Sequence, residues 1–274
     1  MFRILSTAMN KLFLRHLILT AALLVVTVTI FSLTPLDMLV QNTLYNGSTH
    51  QWLMDKQEPW ARLFFYDGIK AALFVLFMLL SSTLLLSRFK PSLKPLRAGL
   101  VIVILSMILV PSAVSMLKAT TNMACPVNLV QYGGKVEHVS LFASYPADKQ
   151  PSRAQKCFPA GHASGGFALL SLIFLMPSAR TRQLALVGTL SLSWLMGGYK
   201  MAIGDHFLSH TLISMLLAWM IICTLAWQVY RHYDAPRDLL EFFARPRLPG
   251  DIALTPVPQL VTSSIDLSPE KAEQ

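Results

Sequence analysis

Six strongly apolar runs alternate with polar segments along the first 230 residues of the chain. Their approximate bounds are 17–33, 68–86, 98–117, 163–176, 184–197 and 207–230. An apolar α-helix of about 20 residues crosses the ~30 Å hydrocarbon layer of a bilayer. The pattern therefore predicts an all-α, polytopic membrane protein built as a bundle of six transmembrane helices. The fourth run is short, which predicts a tilted helix or one that begins inside the interface.

The first apolar run lies near the N-terminus, where a cleaved signal peptide is the competing interpretation. Signal peptides have an apolar core of about 7–15 residues, followed by small residues at the cleavage site. The run at 17–33 is longer, and no clear small-x-small site follows it. We therefore expect an uncleaved membrane anchor.

Basic residues collect in alternate polar segments and predict the orientation in the membrane. Lysine and arginine occur almost without acidic residues in 1–16, 87–97, 178–183 and the start of the tail at Arg231. Such segments stay on the cytoplasmic side. Both termini should therefore be cytoplasmic in a bacterial inner membrane. The segments expected to face the periplasm are 35–68, 118–160 and 198–206.

The same pattern predicts three regions along the chain. They are a cytoplasmic segment at 1–16, a membrane domain at 17–230 and a cytoplasmic tail at 231–274. The tail is basic at first and then rich in proline and polar residues, so we expect most of it to be disordered.

Composition supports a lipid environment and argues against nucleic acid as a partner. Hydrophobic residues make up 54% of the chain and charged residues only 14%, against roughly 25% charged in soluble domains. The net charge of +9 comes from short basic clusters between the apolar runs, as the positive-inside bias requires. The lipid bilayer is thus the expected partner, and the sequence does not predict an oligomeric state.

Three outward segments carry ionisable residues that are costly to place near a membrane. KATTNMACP, from Lys118, ends the third run; PAGH, at 159–162, opens the fourth; GYKMAIGDHFLSH, at 198–210, leads into the sixth. Taken singly, each has an ordinary explanation: a lysine extending to the headgroups, a turn that starts a helix, or interfacial histidines. Folding can nevertheless bring the three segments together at one face.

Together, the three segments resemble the signature of the type-2 phosphatidic acid phosphatase superfamily, which includes membrane lipid phosphatases. That signature consists of Lys, six residues, Arg-Pro; then Pro-Ser-Gly-His; then Ser-Arg, five residues, His, three residues, Asp. The matching positions here are Lys118 with Cys125-Pro126, then 159–162, then Lys200, His206 and His210. The spacing is kept throughout. Residue identities are not all kept: Cys125 and Lys200 stand in place of arginines, Ala160 of serine and His210 of aspartate.

The resemblance implies a phosphatase that works through a phosphohistidine, without a metal or other cofactor. His206 would attack phosphorus, while His162 would protonate the leaving oxygen and then activate water. Lys118, Lys200 and the backbone N–H groups at Gly161 would bind the phosphoryl oxygens. His210, one helical turn from His206, would orient the ring of His206.

The expected substrate is a lipid phosphate or diphosphate, reached from the periplasmic face. Candidates are undecaprenyl diphosphate, phosphatidylglycerol phosphate, phosphatidic acid and lipid A. Two other functions fit the same residues. One is the transfer of a phosphoryl group between two lipids, and the other is binding of a lipid phosphate by a catalytically weak relative.

A zinc site is a further alternative, because His162, His206 and His210 could hold a catalytic Zn²⁺. Few carboxylates accompany these histidines, and nothing else occurs at metal-ligand spacing. The metal-independent route is therefore the preferred interpretation.

Two cysteines and two basic residues in the 118–160 segment also bear on the site. An oxidising periplasm allows a disulfide between Cys125 and Cys157, and the alternative is two unpaired thiols. Arg153 and Lys156 are near His162 in sequence and are candidates to replace the missing arginine.

Overall fold

The computed structural model describes residues 2–141 and 143–244, and this part of the chain is mostly helical. The predicted disorder of the tail therefore concerns residues that lie largely outside the described ones. The α-helices are α1 (Phe2–Leu33), α2 (Leu36–Thr43), α3 (Pro59–Arg62), α4 (Gly68–Leu86), α5 (Arg97–Thr120), α6 (Gly161–Ala168), α7 (Ala179–Ala202), α8 (Leu208–Val229) and α9 (Arg237–Ala244). Within these described residues, one hairpin pairs β1 (Tyr45–Asn46) with β2 (Gln51–Trp52).

Four helical stretches of the described residues are long and apolar enough to cross a membrane. They are Thr7–Leu33, Pro59–Leu86, Pro91–Thr120 and Leu208–Val229. The predictions of a mainly helical protein and of a membrane protein are thereby confirmed at this level. The first, second, third and sixth predicted spans coincide with these stretches.

The other two predicted spans do not meet the same criteria. The helical stretch Gly161–Phe174, α6 plus a 3₁₀ segment, rises on the order of 24 Å, less than the hydrocarbon thickness. Helix α7 is long enough, but it carries Arg180, Arg182 and Lys200 among small polar residues. The six-span arrangement and the orientation of the termini therefore stay predictions.

Helix α8 lies at the centre of the bundle, where α1, α5 and α6 all pack against it. Ala218, Ile222, Cys223 and Ala226 form its buried face, with the spacing of one side of a helix. Apolar side chains on the outer surface of the bundle stay exposed instead, among them Val25 and Phe74. An apolar outside around a small-residue inside is the arrangement that a bilayer favours.

Glycines allow α6, α7 and α8 to approach closely near the site. A Cβ atom on Gly197 would lie 2.5 Å from Cγ2 of Thr211, and one on Gly166 would lie 2.9 Å from Oγ of Ser193. No larger residue fits at either crossing without displacing its neighbour. These contacts hold the ends of the three helices together.

The hairpin and the 121–160 segment cover one end of the bundle. A turn at 47–50 joins the two strands, and Asn46 Oδ1 accepts a hydrogen bond from the Ser48 amide at 3.0 Å. Trp52, on β2, packs against Tyr132 in this segment, with ring centroids 5.2 Å apart. The cap therefore touches the loop between α7 and α8, because the Trp52 ring also lies against Gly204.

Helix α9 lies at the start of the predicted tail and was not expected from the sequence. Its Leu239 is fully buried, and Phe243 contacts His16 of α1 at a ring distance of 5.0 Å. The first part of the tail is thus an ordered helix that packs on the membrane domain.

Candidate active site

Two buried histidine rings meet where α7 turns into α8. His206 lies in the connecting turn and His210 in the first turn of α8, and their Nδ1 atoms are 3.3 Å apart. The turn is fixed because the amides of Asp205 and His206 both donate to the Lys200 carbonyl, at 2.8 and 3.2 Å. Gly204 has φ +75°, a left-handed conformation that favours glycine.

Cys125 and Cys157 form a disulfide that lies directly against this pair. Sγ of Cys157 is 3.6 Å from Nδ1 of His206 and 3.0 Å from the carbonyl oxygen of Asp205. The Cys157 amide also donates to the Met123 carbonyl at 2.9 Å. The segment after α5 and the segment before α6 are therefore joined beside the histidines.

The PAGH segment approaches the same place from α6, which begins at Gly161. The Ala160 amide donates to the His210 carbonyl at 3.2 Å, and Ser214 Oγ donates to the Ala160 carbonyl at 3.0 Å. A Cβ atom on Gly161 would meet no heavy atom within 4 Å, so the space above this helix start is open. Open space at a helix N-terminus suits an anion, because its amides point outward there.

A carboxylate lies between two of the lysines. Lys200, only 5% exposed, forms an ion pair with Asp205 at 2.8 Å, and Lys56 binds the other oxygen of Asp205, also at 2.8 Å. Burial alone would raise the pKa of Asp205, but the hydrogen bonds from Lys200 and Lys56 hold that pKa below its ordinary value. Asp205 therefore stays ionised and fixes the ammonium group of Lys200.

The predicted catalytic residues lie within electrostatic range of one another. Burial is the main reason why the pKa of His206 is held well below its ordinary value, and the positive charge that nearby groups carry when protonated adds to the effect. These groups are His210, Lys118, His162 and Lys200. His206 is consequently a neutral imidazole at neutral pH, with a nitrogen lone pair that can react.

The region of the chain that contains this site matches a known protein family. The model of the PAP2 superfamily matches residues 99–234, about half of the chain, and this range contains all three signature segments. The chain belongs to the PAP2 superfamily. Members are generally phosphatases, which indicates phosphatase activity and agrees with the apolar helices of a membrane protein. No curated protein and no solved structure shows significant similarity to the chain.

Several residues of this PAP2 site were not expected from sequence reasoning. Lys56 and Lys70 precede the matched range, yet Lys56 binds Asp205 and Lys70 lies within electrostatic range of His162. Asp37 accepts a hydrogen bond from the Ser209 amide at 2.9 Å, one residue before His210. These partners come from segments far away in sequence, for which no local pattern exists. Arg153 and Lys156, the candidates for the missing arginine, have exposed side chains.

Three side chains in this PAP2 site offer metal ligands close to one another. They are Cys157, His206 and His210, whose ligand atoms all lie within 4.8 Å of one another. The set differs from the predicted zinc alternative, since it contains Cys157 in place of His162. In the disulfide form the sulfur of Cys157 is not a thiolate, and the thiolate is the form of cysteine that binds metals.

Proposed function

We propose that the protein is an integral membrane phosphatase that hydrolyses a lipid phosphate or diphosphate at the periplasmic face of a bacterial inner membrane. The observation that carries the proposal is the buried His206–His210 pair, with Nδ1 atoms 3.3 Å apart, within electrostatic range of Lys118 and Lys200 from two helices. Membership of the PAP2 superfamily supports the reaction class.

His206 is the proposed nucleophile. Its Nδ1 faces His210, which leaves Nε2 for attack on phosphorus. A P–N bond forms as the bond from phosphorus to the leaving oxygen breaks, and His162 donates a proton to that oxygen. Water, deprotonated by His162, then attacks the phosphohistidine and regenerates the neutral imidazole.

Lys118, Lys200 and the helix start at Gly161 are the proposed phosphate-binding groups. The transition state of phosphoryl transfer spreads negative charge over the equatorial oxygens, and fixed donors stabilise that charge. Lys200 is held by Asp205, so it offers a positioned point charge where an arginine would offer a bidentate fork. Open space at Gly161 leaves room for a phosphoryl group beside the first amides of α6.

The tautomers of the histidine pair determine whether attack is possible. In one arrangement, His206 donates from Nδ1 to Nδ1 of His210 and keeps the Nε2 lone pair. The proton of His210 is then on Nε2, which is buried without a hydrogen-bond partner among the described residues. In the other arrangement, His210 donates to His206, and the Nε2 atom of His206 carries the proton and cannot attack.

The second arrangement favours another candidate function, a catalytically weak protein that binds a lipid phosphate. Leaving a buried N–H unpaired costs about 1–3 kcal/mol, so the reactive arrangement is disfavoured by roughly that amount. Cationic groups that bind phosphate would be kept in such a protein, while turnover would be slow.

These functions are tested by measuring phosphate release from a panel of lipid phosphates and diphosphates, with purified protein in detergent. We expect His206→Gln to abolish release and His232→Gln, an exposed histidine after α8, to retain it. Lipid phosphate binding without release by the wild type would contradict the phosphatase and support the weak binder. Recovery of the phosphoryl group on a second lipid would instead indicate a phosphotransferase.

A further inference from the structure

Cys157 of the disulfide and the two neighbouring histidines bring three possible metal ligands close together. Cys157, His206 and His210 are 0%, 3% and 0% exposed, and their ligand atoms lie within 4.8 Å of one another. Two distances between these atoms are known: 3.6 Å from Cys157 Sγ to His206 Nδ1, and 3.3 Å between the two Nδ1 atoms.

These distances match the edges of a tetrahedral zinc site. Zinc binds nitrogen at about 2.0–2.1 Å and thiolate sulfur at about 2.3 Å, with tetrahedral angles. Those bond lengths place two nitrogen ligands about 3.3–3.4 Å apart and a sulfur and a nitrogen about 3.6 Å apart. Two of the three edges therefore need little change to accept an ion, and the third, between Cys157 and His210, is at most 4.8 Å.

We propose that reduction of the Cys125–Cys157 disulfide converts this cluster into a thiolate–bis-histidine site for Zn²⁺ or a similar ion, which then disables His206. While the disulfide is intact, the sulfur of Cys157 is bonded to Cys125 and supplies no thiolate. The disulfide thus keeps a metal-binding cluster from forming at the nucleophile.

The two sulfurs differ in access, which sets the order of the redox step. Cys125 is half-buried, whereas Cys157 is fully buried. A thiolate of a dithiol reductant attacks the sulfur of Cys125, the S–S bond breaks, and Cys157 leaves as the thiolate. The second thiol of the reductant then displaces Cys125, which takes up a proton, and the reductant becomes a disulfide. Two electrons pass to the protein, and the Cys157 thiolate binds the metal.

A metal ion at this position would remove the nucleophile by fixing its tautomer. An ion on Nδ1 of His206 leaves the ring proton on Nε2, because a neutral imidazole carries one proton. Nε2 then has no lone pair with which to attack phosphorus. This consequence for activity rests on the proposed function, whereas metal binding itself does not.

Cys125→Ser and Cys157→Ser form a matched pair, since each removes the disulfide and one sulfur. We expect Cys125→Ser to bind one Co²⁺ per chain, with a thiolate-to-cobalt charge-transfer band and the visible bands of a tetrahedral site. Cys157→Ser should show neither. Adding His206→Ala to Cys125→Ser should weaken binding at least ~10-fold, because one of three ligands is lost. Every variant also carries Cys223→Ser, which removes the thiol that is not part of the disulfide.

The wild-type chain gives the same test without a substitution in the cluster. Oxidised protein should show no cobalt–thiolate band, and protein reduced with dithiothreitol and then desalted should show it. Equal spectra for Cys125→Ser and Cys157→Ser, or no band in reduced wild type, would overturn the proposal. The spectra require no turnover, so they judge metal binding even where phosphate release is absent.

Phosphate release tests the effect on the nucleophile separately. Micromolar Zn²⁺ should lower the rate of Cys125→Ser at least ~10-fold, with recovery after a chelator, and leave the oxidised wild type within about twofold. Co²⁺ binding without zinc inhibition in an active Cys125→Ser would overturn the inhibitory role alone. Absence of release in wild type would instead contradict the proposed function.

Discussion

At the scale of single residues, His210 is where the site differs most from the superfamily signature. A carboxylate at this position would accept the Nδ1 proton of His206 and leave no N–H of its own unpaired. The geometry allows this exchange, because Oδ of aspartate and Nδ1 of histidine are both bonded to Cγ. An aspartate oxygen would thus fall close to the position from which His210 Nδ1 now faces His206 at 3.3 Å.

We therefore expect His210→Asp to raise kcat for phosphate release and His210→Ala to lower it. Relief of an unpaired buried N–H is worth about 1–3 kcal/mol, or roughly 5- to 150-fold in rate. His210→Asn is the neutral control: it can accept the same proton but adds no charge, so its rate should lie between the two. Equal losses in His210→Asp and His210→Ala would exclude an orienting role for His210.

The pH dependence of catalysis should report the lowered pKa of His206. The imidazole attacks only when neutral, so the acid limb of kcat/KM for this group should lie well below pH 6.5. Removing a nearby positive charge raises the pKa of His206, and Lys118→Met should shift this limb to higher pH as well as lower the maximum. A shift to lower pH in Lys118→Met would contradict the electrostatic explanation.

At the scale of elements, the start of α8 depends on a residue from another helix. Phe207 is the N-cap of α8 and provides no side-chain hydrogen bond. Asp37 of α2 takes over this function, since it accepts hydrogen bonds from the amide and the hydroxyl group of Ser209. The orientation of His210, in the same turn, is thereby tied to α2.

Asp37→Ala and Asp37→Asn should differ in stability. Alanine removes the acceptor and should cost about 1–2 kcal/mol, as for other lost helix caps. Asparagine keeps an acceptor oxygen and removes a carboxylate whose pKa is raised by burial, despite the opposing hydrogen bonds from Ser209. A raised pKa means that ionisation of Asp37 lowers stability as the pH rises through it, so Asp37→Asn should be at least as stable as wild type at pH 7.

Thermal unfolding in detergent measures this difference, with the exposed Asp148→Ala as the control. The rate of phosphate release should follow the same order, because α8 carries His210. Equal destabilisation by alanine and asparagine would show that the charge of Asp37, and not its acceptor oxygen, stabilises α8.

Gly204 links the cap to the catalytic turn and should not tolerate a side chain. A Cβ atom there would lie 2.5 Å from the ring of Trp52, and its φ of +75° disfavours alanine. We expect Gly204→Ala to destabilise the protein by more than 1 kcal/mol, on the order of strained positions, and to reduce activity. Gly188→Ala, on an open face of α7, should be neutral or slightly stabilising in the same unfolding assay.

The elements and the signature spacing could be predicted from the sequence, because apolar runs and short motifs are local patterns. The contacts that position the site could not. Asp37 and Ser209 are 172 residues apart, and the pairing of Lys200 with Asp205 depends on a turn that a glycine at positive φ makes possible. Asp205 lies in this turn and binds two lysines from different segments, and no local pattern predicts that pairing. Helix α9 is short but amphipathic, with Leu239, Leu240, Phe242 and Phe243 among its eight residues, and the description of the tail as basic and then polar overlooked this pattern.

At the scale of the whole molecule, the basic segments favour six membrane spans, whereas only four described helical stretches are long and apolar enough to cross. The basic segments 87–97 and 178–183 fall on one side only if the chain crosses the membrane between residues 98 and 177 an even number of times. The short stretch Gly161–Phe174 and the polar α7 must then cross as a pair. The first packs against α5, α7 and α8, whereas α7 exposes Leu184, Val187 and Leu195 on its outer side. Small and hydroxyl residues that face protein, with apolar residues on the outer side, are compatible with such a pair.

Labelling of single cysteines with a membrane-impermeant maleimide tests this arrangement, in a Cys223→Ser background that retains the disulfide. Ser48→Cys, in the hairpin, should be modified from the periplasmic side in spheroplasts, and Ser92→Cys only after the membrane is permeabilised. Pro177→Cys, in the exposed turn between Gly161–Phe174 and α7, is decisive because six spans place it with Ser92. Modification of Pro177→Cys in intact spheroplasts would show that Gly161–Phe174 does not cross the membrane, and the basic segment 178–183 would then face the periplasm.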